Sequence, residues 1–289
     1  MRLITLIIFF LLPIYSIQAN PSHTVQWQEG VNLIAVQKWS SALEKISNVS
    51  STTYFYKKQG GKDNLHIKKH RDLIVWIPET TDLTKKVTVV LWFHGHHGFH
   101  PTRTFQDRTL KQLVPFAKSK NIVLVLPEMP WSIYTKTPTK RNSLLWEKPG
   151  DFIVFLDQVK QIIKSHQLSK VGNSNLGQFD YKVVGHSAGG STIKRLGITG
   201  DLCKIKPSLI VWSDSTYGRW LDDAWHGCLS KTKIKIKVFV YQYGSPRKQS
   251  ARFISSLENK PDNISIYIKR KGWSHKLIGN HIIVLSELL

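Results

Sequence analysis

Residues 181–189 read Tyr-Lys-Val-Val-Gly-His-Ser-Ala-Gly, in which a short strand pattern runs directly into Gly-x-Ser-x-Gly. A helical pattern follows, from Ala188 to Leu196. A serine at a sharp turn between a strand and a helix is held in a strained backbone conformation, and small residues two places before and after it allow the close approach. Gly185 and Gly189 occupy these places, so the pattern predicts a nucleophile elbow with Ser187 as the nucleophile. The alternative is an ordinary structural turn.

A second motif lies upstream, where the strand pattern from Val87 to Phe93 ends in His94-Gly95-His96-His97-Gly98. Acyl transfer needs hydrogen-bond donors aimed at the oxyanion of the tetrahedral intermediate, and two backbone N–H groups suffice. We expect the N–H groups of Ala188 and His96 to supply them. The alternative is a zinc site formed by the histidines of this segment, since imidazoles at such spacings can converge on one ion. Those histidines are His94, His96, His97 and His100. A zinc site would leave the serine turn unexplained, so no metal or other cofactor is expected.

Short apolar runs alternate with helical patterns along the rest of the chain. The predicted strands are 53–56, 73–77, 87–93, 122–126, 181–184, 209–212, 234–241 and 264–268. The predicted helices are 31–46, 109–119, 152–165, 188–196, 250–257 and a last one that runs to residue 289. Several strands are apolar almost throughout, which is typical of a parallel sheet covered by helices. The alternation predicts an α/β fold with a mostly parallel sheet of about eight strands and helices on both faces.

These features together resemble the α/β-hydrolase superfamily, over roughly residues 73–289. The segment Phe93-His94-Gly95, with Pro127-Glu128 after the next strand, is similar to the secreted esterase and depolymerase branches. The resemblance implies one hydrolase domain, here residues 20–289, and a nucleophile, an acid and a histidine in that order along the chain.

The acid departs from the usual pattern of the family. Members of the family usually carry it after the strand that is here 234–241, but residues 242–247 contain no Asp or Glu. One strand earlier, the run 209–213 is followed directly by Asp214. A carboxylate at the carboxyl end of a parallel strand lies on the ligand-binding edge of the sheet. We therefore predict Asp214 as the acid, with Asp222 and Asp223 as alternatives. A capping or loop-closing role for Asp214 also remains open.

The base is predicted to be His275, in the loop after the last strand and ahead of a terminal helix, where the family's histidine lies. His281 falls within that helix, and His186 is expected to pack beside the elbow because its side chain points away from the serine. In the resulting mechanism His275 takes the proton of Ser187, and Asp214 holds the imidazole in the required tautomer.

Only about twenty residues separate Asp214 from the next strand, which predicts a small or absent cap and an open cleft. Trp220 and Trp225 lie in this segment, and Trp131 and Trp273 fall in loops expected at the same rim. We expect the substrate to be an ester, either a small molecule or part of an extracellular or envelope polymer. A serine peptidase or amidase with the same triad is the alternative, and a non-catalytic binding protein for anionic polymers is a second one.

The charge of the chain bears on its surroundings. The 289 residues include 41 Lys and Arg but only 19 Asp and Glu, which gives a net charge of +22. The protein surface should therefore attract anionic polymers or membrane surfaces. No nucleic-acid-binding motif is present, so specific nucleic-acid binding is not expected. Residues 1–19 combine Arg2, an apolar run and Ala19, which predicts a cleaved signal peptide and a secreted or periplasmic protein. An uncleaved membrane anchor is the alternative.

The chain has two cysteines, Cys203 and Cys228. In an exported protein such a pair predicts a disulfide, and the alternative is two buried thiols.

Overall fold

The structure is a computed structural model that describes residues 51–56, 73–78, 80–95, 120–127, 129, 146–257, 259, 261–269, 274 and 275. Eight strands within these residues form one sheet in the order β1-β2-β4-β3-β5-β6-β7-β8. Their bounds are β1 Ser51–Tyr56, β2 Leu73–Pro78, β3 Val87–Phe93, β4 Ile122–Pro127, β5 Phe179–His186, β6 Leu209–Ser213, β7 Lys235–Tyr241 and β8 Ile264–Lys269. In the sheet order, the six strands β4-β3-β5-β6-β7-β8 pair in parallel. Strand β2 pairs antiparallel with both β1 and β4. The prediction of a mostly parallel sheet is confirmed.

Five helices accompany the sheet in the described part of the chain: α1 Asp151–Val171, α2 Gly190–Thr199, α3 Asp201–Ile205, α4 Trp220–Gly227 and α5 Ser245–Ser256. Helix α1 runs past its predicted end to Gly172, whose positive φ of 72° closes the last turn. Helix α5 begins five residues before its predicted start, with Pro246 in its first turn. The two short helices α3 and α4 were not predicted. The helices predicted at 31–46, 109–119 and the end of the chain lie outside the described residues.

The central strands are buried on both faces. On one face, Val89, Leu91 and Val183 form a single apolar cluster with Phe152 of α1 and Ile193 of α2. On the other face, Val90, Val184 and Val211 are each 0% exposed. Burial on both sides explains why these strands lack the alternation of apolar and polar residues that a half-exposed strand shows.

The disulfide prediction is correct, because Cys203 and Cys228 are bonded. The bond joins α3 to the residue that follows α4. Between β6 and β7 the chain forms only α4 and a 3-10 turn at Leu229–Lys231, as expected for a small or absent cap in this segment. No helix in the described ranges is both long and apolar enough to cross a membrane.

The strand register brings several loops to the same edge of the sheet. Phe93 of β3 pairs with Gly185 of β5, and His186 pairs with Ser213 of β6. The residues that follow β3, β5 and β6 therefore meet at the carboxyl edge, where open α/β sheets bind their ligands.

Candidate active site

The turn after β5 has the geometry of a nucleophile elbow. β5 ends at His186, a 3-10 turn spans Ser187–Gly189, and α2 begins at Gly190. Ser187 has a φ of +51°, which is the left-handed region that side chains other than glycine rarely adopt. Such a backbone costs on the order of 1–3 kcal/mol and persists where the surrounding structure holds it.

The glycines of the elbow are required by close packing. A Cβ added at Gly189 would lie 2.1 Å from the carbonyl oxygen of Phe93, and one at Gly185 would lie 2.9 Å from the carbonyl carbon of Gly189. A third close approach was not predicted, because a Cβ at Gly190 would lie 2.3 Å from the carbonyl oxygen of Ser215. The elbow is therefore packed closely between the last residue of β3 and the segment that follows β6.

A continuous chain of hydrogen bonds links three side chains that are far apart in the sequence. His275 Nε2 lies 2.9 Å from Ser187 Oγ, and His275 Nδ1 lies 2.6 Å from Asp214 Oδ2. A carboxylate only accepts hydrogen bonds, so Nδ1 donates its proton to Asp214. Nε2 of the neutral ring then accepts the hydrogen bond of the serine hydroxyl. The three residues predicted as nucleophile, base and acid are brought together in that order.

Asp214 is held on both of its carboxylate oxygens. Oδ2 contacts His275, while Oδ1 accepts a hydrogen bond from the Tyr241 N–H at 3.0 Å. The Asp214 N–H donates to the Phe239 carbonyl at 2.7 Å, and the residue has a φ of +47°. The end of β7 thus positions an acid that lies directly after β6.

The alternative acids are engaged elsewhere. Asp222 accepts a hydrogen bond from Arg252 at 3.1 Å, and Asp223 pairs with Arg219 at 3.8 Å. Both aspartates lie on α4, and neither has a contact with His275 among the described hydrogen bonds.

His186 lies against His275 and has no hydrogen bond to Ser187 among those of the described residues. Its Nε2 donates to the backbone carbonyl of His275 at 3.0 Å, and the two rings stack with centroids 5.1 Å apart. Burial lowers the pKa of His186 from 6.5 to about 4, which outweighs the opposite effects of the carbonyl bond and of the Asp214 charge. The nearby His275 lowers this pKa further. His186 is therefore neutral at pH 7. His281, the other alternative base, lies outside the described residues.

The His-Gly turn after β3 lies beside Ser187, since a Cβ added at Gly95 would lie 2.8 Å from the Cβ of Ser187. The Met129 N–H donates to His94 Nε2 at 2.9 Å, so Nδ1 of the neutral ring carries the proton and donates to the Gly95 carbonyl at 2.7 Å. His94 thus ties the backbone of its own turn to the segment that follows β4.

Of the two predicted oxyanion donors, Ala188 directly follows Ser187 as the second residue of the 3-10 turn. His96 lies outside the described residues, as do His97 and His100 of the alternative zinc site.

Sequence reasoning missed Tyr217, three residues after Asp214. Its ring makes an edge contact with His275 at a centroid distance of 6.4 Å and another with Trp220 at 5.4 Å. An aromatic residue in a loop carries no local signal of a role, so only the fold reveals this position. Of the other tryptophans noted in the sequence, Trp225 is buried in the apolar core, while Trp131 and Trp273 lie outside the described residues.

No protein-family model matches the sequence, and no match is found among curated proteins. Solved structures do resemble the chain. A serine-to-alanine mutant of the feruloyl esterase module from Clostridium thermocellum, complexed with sinapinate, is 12% identical with a TM-score of 0.51, covering 92% of this chain and 93% of that one. A structure of a protein called FAE is 14% identical with a TM-score of 0.51, covering 92% and 94%. An esterase from the archaeon Pyrobaculum calidifontis is 13% identical with a TM-score of 0.44, covering 90% of this chain and 92% of that one.

The first two matches, together with the sheet order and the elbow after β5, identify the class of fold. The chain has an α/β-hydrolase fold. Since this fold supports many activities, the function has to be argued from the site itself.

Proposed function

We propose that this protein is a serine hydrolase that cleaves carboxylic esters through an acyl-enzyme. One observation carries the proposal: the hydrogen-bond chain from Asp214 through His275 to Ser187, at 2.6 and 2.9 Å. A serine hydroxyl is a weak nucleophile until an adjacent base takes its proton, and an oriented base is the arrangement that activates it.

The proposed reaction begins when Ser187 Oγ attacks the ester carbonyl and His275 Nε2 takes the serine proton. The Asp214 carboxylate stabilises the imidazolium that forms. Backbone N–H groups, of which Ala188 supplies one and His96 is the candidate for the other, stabilise the oxyanion. His275 then protonates the leaving alcohol. In the second half, water attacks the acyl-enzyme, His275 takes a proton from the water and returns it to Ser187 Oγ, and the acid is released.

We infer an ester rather than an amide substrate because of the likeness to proteins described as esterases. The short segment between β6 and β7 favours an open cleft, which suits an ester carried by a polymer. The net charge of +22 would draw the enzyme to anionic material or to a membrane surface. Hydroxycinnamate esters belong in the first substrate screen, because one similar structure is a feruloyl esterase module that holds sinapinate.

The proposed location is outside the cytoplasm, either secreted or periplasmic. It rests on the signal-peptide pattern of residues 1–19. Expression of the full chain in a host with a secretion pathway, followed by amino-terminal sequencing of the exported protein, tests this. The mature chain should begin at Asn20, and retention of Met1 on a membrane-bound product would contradict the proposal.

The decisive experiment is labelling with a fluorophosphonate, which phosphonylates activated serines. Peptide mapping should find the label on Ser187, and Ser187→Ala should abolish both labelling and hydrolysis of p-nitrophenyl esters. Ser191→Ala, four residues further along the chain, is the matched control and should keep both. Labelling of another residue, or hydrolysis that survives Ser187→Ala, would refute the proposal.

The same proteins distinguish the two alternatives. Faster turnover of peptide anilides than of esters would indicate a peptidase or amidase. A protein that binds anionic polymers but neither labels nor hydrolyses any ester would be the non-catalytic binding protein.

A further inference from the structure

Three exposed lysines occupy alternate positions where the chain enters β7. They are Lys231, Lys233 and Lys235, which we call the lysine row. Ile234 and Ile236, which alternate with them, are only 8% and 1% exposed. Because successive side chains of an extended chain point to opposite sides, Lys233 and Lys235 point to the same side, about 7 Å apart. This segment therefore presents a series of positive charges to solvent and its apolar side chains to the core.

The backbone of the lysine row is fixed by Asn263, which directly precedes β8. The Asn263 side chain donates hydrogen bonds to the carbonyl groups of Thr232 at 3.2 Å and of Ile234 at 2.9 Å. The Asn263 carbonyl accepts a hydrogen bond from the Ile236 N–H at 2.7 Å. Because these bonds already set the spacing of the lysines, a partner that binds the row has little backbone to order.

The charges of the lysine row are not neutralised within the described part of the chain, where every ion pair involves other residues. Lys206 adds a fourth exposed charge. It lies three residues before Leu209, which is the partner of Lys235 in the register of β6 and β7. The adjoining segment 261–263 contributes one exposed acid, Asp262, against these four lysines. The surface at the start of β6 and β7 is therefore strongly positive.

A structural role in the sheet does not explain the lysine row. Lysines on a strand often protect a sheet edge from pairing with another chain. However, β7 is not an edge strand, because it pairs with β6 on one side and with β8 on the other. Unpaired charges on an inner strand are free to attract an anionic partner.

The lysine row and the candidate active site lie at opposite edges of the sheet. The row is at the start of β7, whereas Ser187 and Asp214 follow the ends of β5 and β6. These three strands pair in parallel, so their starts share one edge and their ends share the other. The seven residues of β7 span about 20 Å at roughly 3.3 Å per residue. A molecule bound to the row therefore leaves the cleft at Ser187 open.

We propose that the lysine row is a docking surface for an extended anionic polymer, with acidic polysaccharides as the partner class. Repeated ammonium groups on a fixed backbone match the repeated carboxylates of such a chain. A membrane surface fits less well, because peripheral membrane binding combines basic residues with exposed apolar side chains. The large apolar side chains that are exposed in the described residues all lie outside 204–208 and 229–235. The inference goes beyond the proposed function, because docking to a polymer needs no hydrolysis.

The test compares two variants of equal net charge. One replaces the lysine row, as Lys231→Gln, Lys233→Gln and Lys235→Gln. The matched control replaces three lysines that are also exposed, on α1 and α5, as Lys160→Gln, Lys164→Gln and Lys248→Gln. Isothermal titration calorimetry with polygalacturonate measures binding. We expect the Kd of the row variant to rise at least about tenfold at low ionic strength, because three exposed charge pairs are lost. The control should change less than about twofold, and salt should weaken the wild-type binding.

Hydrolysis measured on the same proteins separates docking from catalysis. Both triple variants should hydrolyse p-nitrophenyl acetate as the wild type does, and polygalacturonate should not inhibit the reaction. Ser187→Ala should bind polygalacturonate as tightly as the wild type. Polymer binding without any ester hydrolysis by the wild type would refute the proposed function and leave the docking surface standing.

Three results would overturn the inference. Equal losses of affinity in the two triple variants would show that net charge alone determines binding. Inhibition of ester hydrolysis by polygalacturonate would place the polymer in the cleft. Binding of the wild type, but not of the row variant, to phosphatidylserine vesicles, without binding to polygalacturonate, would make the partner a membrane.

Discussion

Replacing Asp214 by Asn tests the direction of the hydrogen bonds at the site. The substitution keeps the size of the side chain, and its carbonyl oxygen can still accept from the Tyr241 N–H as Oδ1 does now at 3.0 Å. The amide NH2 then faces His275 Nδ1, where the carboxylate oxygen now lies at 2.6 Å. Because an NH2 group only donates, Nδ1 has to become the acceptor, and the single proton of the neutral ring moves to Nε2. Nε2 then carries a proton toward Ser187 Oγ and cannot accept one.

The size of the effect follows from the loss of the base. The same tautomer error in a serine protease lowers kcat by about 10⁴-fold, which is about 5.5 kcal/mol at 1.36 kcal/mol for each factor of ten. We expect a loss of this order in Asp214→Asn because the acid is 3% exposed and its Oδ2 contacts only the imidazole among the described hydrogen bonds.

The assay is steady-state hydrolysis of p-nitrophenyl esters, together with the rate of fluorophosphonate labelling, on protein whose fold is checked by circular dichroism. Asp222→Asn is the matched control, since that carboxylate pairs with Arg252 at 3.1 Å, and it should keep the wild-type kcat. A kcat for Asp214→Asn within tenfold of wild type, or a larger loss in Asp222→Asn, would show that another group orients the imidazole.

Three further predictions concern stability and geometry. Replacing Cys203 and Cys228 together by Ser should lower the free energy of unfolding in urea by about 3.5 kcal/mol, from the entropy of closing a loop of 25 residues, and a loss below about 1 kcal/mol would contradict this. Gly189→Ala places a Cβ 2.1 Å from the Phe93 carbonyl oxygen, so the elbow has to shift and kcat should fall by about 100-fold, with the rate of fluorophosphonate labelling as the check. His186 has a pKa of about 4 in the folded chain and near 6.5 when unfolded, so its stabilising contribution is complete above pH 6.5 and is lost as the pH falls toward 4, by up to about 3 kcal/mol. Urea unfolding at pH 7 and pH 4.5 should show this loss in the wild type and a smaller one in His186→Gln, and equal losses would contradict the assignment.

The sheet was predictable because its central strands are buried on both faces. Val87–Phe93 is apolar except for Thr88, and Ile122–Pro127 is apolar throughout, which leaves a strong local signal. The antiparallel pairing of β2 with β4 was not predicted. Strand direction and neighbour choice depend on contacts between residues far apart in the chain, about which a single strand holds no information.

The helices α3 and α4 were missed for a different reason. They have five and eight residues, too few for helical periodicity to be visible. The disulfide between Cys203 and Cys228 ties them together, and Leu221 and Trp225 of α4 are buried in the core. Their stability comes from tertiary contacts and not from the helix propensity of their own residues.

Some residues of the site could be predicted from local sequence patterns, whereas others were identified only by contacts between distant parts of the chain. The need for glycine at 185 is a local property, because a Cβ there would clash with Gly189 and Ile193, whereas the need for glycine at 189 comes from the distant Phe93. The choice among three aspartates is not local. Asp214, Asp222 and Asp223 lie within ten positions of one another, and only folding determines which of them reaches a histidine 61 residues away from Asp214.

What the amino-acid order alone determined is therefore the kind of sheet and the position of the turn that carries Ser187, since both follow from burial and from steric limits on neighbouring residues. Tertiary structure decided which carboxylate faces His275, how His94 and His186 fix the backbone around the site, and that the Tyr217 ring lies against His275. These relations join residues from separate strands and loops, and they exist only once the strand register has set the ends of β3, β5, β6 and β7 side by side.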